Sequence, residues 1–293
     1  MDENKTFNIS MPKSLLDAID KQAQTEFRNR SDLIREAART YIAGRGGMNT
    51  VNKITPEEES RIKQALDFGD FASEPVIIIS CAFRPQPNSI KDIFESNSKV
   101  IELLEKPSRL RSMGWDLQTL DRARPVAGDY LELANGKRKL LRLYRDGQFI
   151  FAGGLNFFGH AVNKESGEAP SFNLLSVAEF MLNFVIFNTK LTECLENKGE
   201  SFIYTVAVSN PSSQDKKFVD LQAYNGFSTD KVGELTIDWA ERNIATRASD
   251  ALSPEKISYM IYSEFSYFFG LRGDELWYVN KEKREIDTSS FHD

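Results

Sequence analysis

The chain has 293 residues, 41% of them hydrophobic and 27% charged, and a formal net charge of −6. That length allows one large domain or two ordinary ones, and the composition excludes the fibrous and disordered classes. The acidic balance also excludes a protein that coats nucleic acid over its whole surface.

The charge is unevenly spread, however. Residues 1–50 hold eight Lys and Arg against seven Asp and Glu, and the remainder holds 29 against 36. Contact with nucleic acid is therefore expected within the first fifty residues, ahead of an acidic body.

Residues 5–12, KTFNISMP, alternate strictly. Thr6, Asn8 and Ser10 fall on a polar face and Phe7, Ile9 and Met11 on an apolar one, which predicts a strand. Pro12 leads into a helix, SLLDAIDKQAQTEF, with Leu15, Leu16, Ile19 and Ala23 on one side. Ser31 is a good N-cap, with Asp32 where the helix dipole favours an anion. Leu33, Ile34, Ala37, Ala38, Tyr41 and Ile42 then mark a second helix. The glycines of AGRGG end it, residues 45–55 read as a linker, and Pro56 opens a further helix. A strand and two helices in forty residues cannot bury their apolar faces alone. Two chains that pair their strands and interlock their helices can.

Residues 5–43 resemble the ribbon-helix-helix family of the Arc, MetJ and CopG type. The likeness covers the strand, the proline, the first helix and the RNRSDLIREA start of the second. Phe27 or Arg28 stands where many members carry Gly in the turn between helices. The resemblance implies an intertwined homodimer, or a higher even oligomer, that binds double-stranded DNA with its paired ribbon in the major groove. Thr6, Asn8 and Ser10 would then face base edges. Lys5, Arg28, Asn29, Arg30 and Ser31 would hold phosphates at a helix N-terminus whose free N–H groups already favour an anion.

From Pro75 the pattern changes. PVIIISCAF reads as a strand buried on both faces, and residues 88–106 as a helix. Residues 129–152 contain Asn135-Gly136 and Asp146-Gly147 between β-type residues, which predicts a three-stranded meander. A long apolar helix is expected at about 171–197, strands at 202–210 and 217–225, a helix at 253–271, and a closing hairpin after it. The expected class is α+β: a ribbon-helix-helix at 1–44, a linker at 45–55, and a larger mixed helix-and-strand domain at 56–293. Residues 114–153 with the helix that follows resemble a region C-terminal to the AlbA-type domain of bacterial Schlafen-like proteins. That likeness carries no catalytic residue over.

Chemistry is sparse. Two histidines and two cysteines cannot build a multi-histidine metal site or a structural zinc site within one chain. Cys81 and Cys194 lie in apolar settings and read as buried reduced thiols. No catalytic set, metal or cofactor is expected. GGLNFFG lacks the Walker lysine and the dinucleotide spacing, and Asp129 and Glu132 with Lys137 or Lys139 form the kind of grouping that 43 acids produce by chance. Trp115, Arg142, Tyr144, Arg145 and His160 are the candidate ligand-pocket residues, suited to an anionic or nucleotide-like effector.

The start, MDENKTFN, lacks a basic and apolar leader pattern, and no membrane-spanning run is evident. A cytoplasmic protein is expected. The reading that follows is a transcriptional repressor whose second domain senses a small molecule or a protein. The alternatives are an antitoxin-like or antiviral-defence component that binds a protein partner, and an enzyme acting on nucleotides or nucleic acid.

Overall fold

The computed structural model describes residues 53–84, 99–111, 114–119, 121–136, 138–160, 170–194, 200–211, 219–224, 229–272 and 275–291. It also describes Lys13, Leu16, Asp17, Ile19, Asp20, Lys21, Arg30 and Ile34. The chain divides into two compact units, Met1–Val51 and Asn52–Asp293. In the first, the described residues at 13–21 are helical, as are Arg30 and Ile34. Leu16 and Ile19 are partly buried while Lys13 and Asp17 are exposed, in keeping with the amphipathic spacing. The predicted strand at 5–12 lies outside the described residues.

The second unit is α+β, built on an antiparallel sheet of seven strands. Its strands are β1 (Val76–Arg84), β2 (Arg124–Val126), β3 (Tyr130–Asn135), β4 (Lys139–Tyr144), β5 (Phe149–Gly154), β8 (Ser201–Ser209) and β11 (Trp239–Arg247), in the order β11-β8-β1-β5-β4-β3-β2. The predicted meander is β3-β4-β5, with Tyr130 opposite Tyr144 and Leu143 opposite Phe149. Gly136 (φ 53°) and Gly147 (φ 86°) take the left-handed conformation that these tight turns require.

Both faces of the sheet are covered, which is why β1 is an unbroken apolar run. Val76 and Ile78 point to one layer, with Ile62, Ala65, Phe71, Leu140, Tyr144 and Ile150. Helix α1 (Pro56–Gln64) and the turn after it supply the cover on that side. Ile77, Ile79, Cys81 and Phe83 point to the larger core. There α4 (Leu174–Cys194) lies with its phenylalanines against those of the sheet: the rings of Phe149 and Phe187 are 4.7 Å apart and those of Phe151 and Phe180 4.0 Å. Among the described residues α4 is the one helix long and apolar enough to cross a membrane, yet most of its side chains are buried in this core.

Short helices α2 (Lys99–Glu105) and α3 (Leu155–Phe158) and the long α5 (Pro254–Phe268) complete the layer. A second sheet runs β10 (Thr229–Leu235), β9 (Val219–Tyr224), β7 (Ser171–Asn173), β6 (Gly159–His160), with β7 and β9 parallel. A hairpin of β12 (Val279–Asn280) and β13 (Glu285–Ile286) follows α5.

The structure corrects the expected start of the long apolar helix. The helix expected from 171 begins at Leu174, because Ser171–Asn173 pair with β9 and Asn173 Oδ1 then accepts the N–H of Leu175 at 2.8 Å, an Asx cap. Of the helix expected at 88–106, residues 99–105 are helical and 85–98 lie outside the described residues.

Candidate functional site

Of the expected DNA-contacting residues, Arg30 alone is described, and Thr6, Asn8, Ser10, Lys5, Arg28, Asn29 and Ser31 lie outside the described residues. Arg30 reaches back ten positions to Asp20 of the first helix. Its Nε donates to Oδ1 at 2.6 Å and its Nη2 to Oδ2 at 2.5 Å, a side-on fork.

The expected ligand residues of the second unit do not converge. β4 puts Leu140, Arg142 and Tyr144 on the α1 side of the sheet. Arg142 Nε donates to Glu132 Oε2 at 3.0 Å, and the guanidinium lies over the Tyr130 ring. The buried Tyr144 ring carries the Arg61 guanidinium 4.2 Å from its centre. Arg145 sits at the hairpin end, its Nε donating to Gly128 O at 2.5 Å. Trp115 packs on the other face, against the larger core, with Nε1 donating to Phe157 O at 2.8 Å. His160 belongs to β6 of the second sheet. The nuclease-type grouping is divided in the same way, since Glu132 and Lys139 point to opposite faces of β3 and β4.

Two ionic assemblies hold the seven-stranded sheet to its covers. On the α1 side, Glu58 is 1% exposed and closes a capping box with Thr55. Its carboxylate also takes the Arg84 fork, at 2.8 and 2.5 Å. Arg61 bonds Glu57 and Asp146, and the buried Gln148 joins Glu58 O to Ser80 Oγ.

On the α4 side, a strap formed by residues 106–111 and 114–119 packs against the core. Glu179, fully buried, accepts Arg111 Nε at 3.0 Å and Nη2 at 2.6 Å. Gly114 passes so close that a Cβ there would lie 1.9 Å from Glu179 Oε1. Asn183 Nδ2 donates to Trp115 O. Lys139, 4% exposed, bonds Asp116 O at 2.9 Å with the Asp116 carboxylate 3.8 Å away, and Arg109 takes that carboxylate at 2.8 Å.

Burial lowers the Lys139 pKa from 10.5 to about 8, against the opposing pull of Asp116 and with help from Arg109. Between those two values the unfolded chain holds a proton that the native chain has released, so this lysine makes the native state more stable as pH rises through the window. Cys81 and the buried tyrosines, whose pKa values are raised by burial, act in the opposite direction at the alkaline end. Comparison with Lys139→Met cancels them. In urea titrations at stepped pH, the wild type is expected to gain stability relative to Lys139→Met from pH 8 towards 10, and a constant gap would contradict the assignment.

Among the described residues no group of three or more His, Cys, Asp or Glu side chains could hold a metal ion. Reading the sequence for ligands missed Asp20, Arg111, Asp116 and Glu179. Lys139 carried a usable signal, because it shares strand parity with Leu141 and Leu143 and so had to be buried.

Comparison with known proteins bears on the first unit. Residues 5–43 match the family described as ribbon-helix-helix protein, copG family. That segment is a ribbon-helix-helix sequence, the mark of a class of DNA-binding regulators. No curated protein and no solved structure matches the chain, and nothing in the comparisons supports the likeness of the later segment to Schlafen-like proteins.

Proposed function

We propose that the protein is a cytoplasmic transcriptional repressor that binds operator DNA as a dimer through its N-terminal ribbon. The match of residues 5–43 to the ribbon-helix-helix family carries this reading. The charge distribution supports it, since residues 1–50 hold eight Lys and Arg against seven Asp and Glu while the remainder of the chain is net acidic. The 52–293 unit acts as the sensor: a small molecule or protein bound there alters the spacing or availability of two ribbons on the operator.

Titration of a duplex from the protein's own promoter tests the proposal. Lys5, Arg28 and Arg30 from two chains neutralise about six phosphates, for which log K should fall against log salt with a slope of about −5. Asn8→Ala should narrow the gap between operator and random duplex, as removal of a bidentate adenine pairing does. Arg30→Ala should weaken binding to all sequences alike. Absence of a sequence-specific, salt-sensitive shift overturns the reading.

A further inference from the structure

We infer that Asp20 is a positioning residue for DNA contact, gripping one edge of Arg30 so that its remaining N–H groups face a phosphate. The inference rests on the DNA-binding reading above. A guanidinium offers five N–H donors in a rigid fork. The side-on grip of Asp20 uses one on Nε and one on Nη2, which leaves the second Nη2 hydrogen and both on Nη1. The Arg30 side chain is 50% exposed despite the double bond, so its far edge stays open to a ligand. An untethered arginine would lose several rotatable bonds' worth of freedom on meeting a phosphate, and here much of that ordering precedes binding. The pair also ties Arg30 to the helical segment at 13–21, so it fixes where the cation sits relative to that segment.

The carboxylate has a second effect of opposite sign, because its negative charge repels DNA. A competitor that merely occupied Arg30 would show only this second effect. A double-mutant cycle on the full chain separates the two. The probe is a fluorescent promoter duplex followed by anisotropy, with Asp20→Asn, Arg30→Lys and the double variant.

Asp20→Asn is expected to weaken binding about fivefold in the Arg30 background, because the guanidinium is no longer preorganised. It should also flatten the salt slope by about 0.9 for each phosphate that is no longer neutralised. In the Arg30→Lys background, where no planar fork exists to be aimed, the same change should leave affinity equal or higher. A purely structural role would move the melting temperature and leave the slope alone. Tighter binding by Asp20→Asn, or an equal effect in both backgrounds, overturns the inference while the DNA-binding reading stands. Failure of every variant and the wild type to bind overturns both.

Discussion

Arg111→Ala is expected to destabilise the 52–293 unit by about 3–5 kcal/mol, the range for removing one partner of a buried ion pair. Glu179 has no exposed side-chain surface, and Arg111 is its forked partner at 3.0 and 2.6 Å. Truncation leaves a fully buried carboxylate in the second turn of α4 without the partner that offsets its missing hydration. The penalty belongs to the stranded charge rather than to the absence of a favourable interaction. Accordingly, Arg111→Ala combined with Glu179→Met should recover most of the stability, since apolar replacement of a whole buried pair is close to neutral. Urea midpoints of the two variants and the wild type check this. A single variant within about 1 kcal/mol of wild type would show that the pair is solvated, contrary to its burial.

Glu58→Ala is expected to cost at least as much. Its carboxylate serves three groups at once: the Thr55 N–H at 2.7 Å and both arms of the Arg84 fork. Its removal takes the counter-ion from Arg84 at the end of β1, leaving it the carbonyls of Phe83 and Lys53, for about 3–5 kcal/mol, and breaks the capping box of α1, for about 1 kcal/mol more. Thr55→Ala removes only the cap and should show the smaller figure alone. The difference between the two variants in guanidinium unfolding measures the ion pair. A Glu58→Ala protein no less stable than Thr55→Ala would mean that Arg84 finds another partner and that the α1 cover does not depend on this carboxylate.

How much of this was legible beforehand differs by element. The run VIIISCAF announced a strand covered on both sides, and Asn135-Gly136 and Asp146-Gly147 announced two hairpins, because in each case a local rule suffices. TDKVGEL and WAERNIATR carry so many charges that neither reads as a strand. They become β10 and β11 at sheet edges, where polar residues belong, through pairing with β9 and β8. SFN looked like the first turn of a helix because what makes it a strand is pairing with neighbours that local rules do not show: β6 on one side and, 49 positions on, the parallel β9 on the other, with Asp220 opposite Ser171.

The division of the candidate ligand residues between faces was hidden for a similar reason. The alternation of β4 told which side chains share a face, but not that the strap would lay Trp115 against the other one. Asp20 and Arg30 were invisible because residues ten apart are not at a spacing that brings side chains together on one helix face.

The position of β1 has a consequence for how the chain is made. Val76 pairs with Gly154 on one side and Ser209 on the other. The strand most apolar in composition is thus translated long before either neighbour exists. At about 5–20 residues per second a ribosome needs on the order of ten seconds to reach β8. Until β5 is made VIIISCAF has no partner for its backbone, until β8 it has one of its two, and the unit's topology is one of distant pairings that fold slowly. The first unit, complete in sequence by residue 51, emerges ahead of it. Assembly of the two units is therefore ordered in time by the chain itself, with the N-terminal segment available while the sheet behind it is still open.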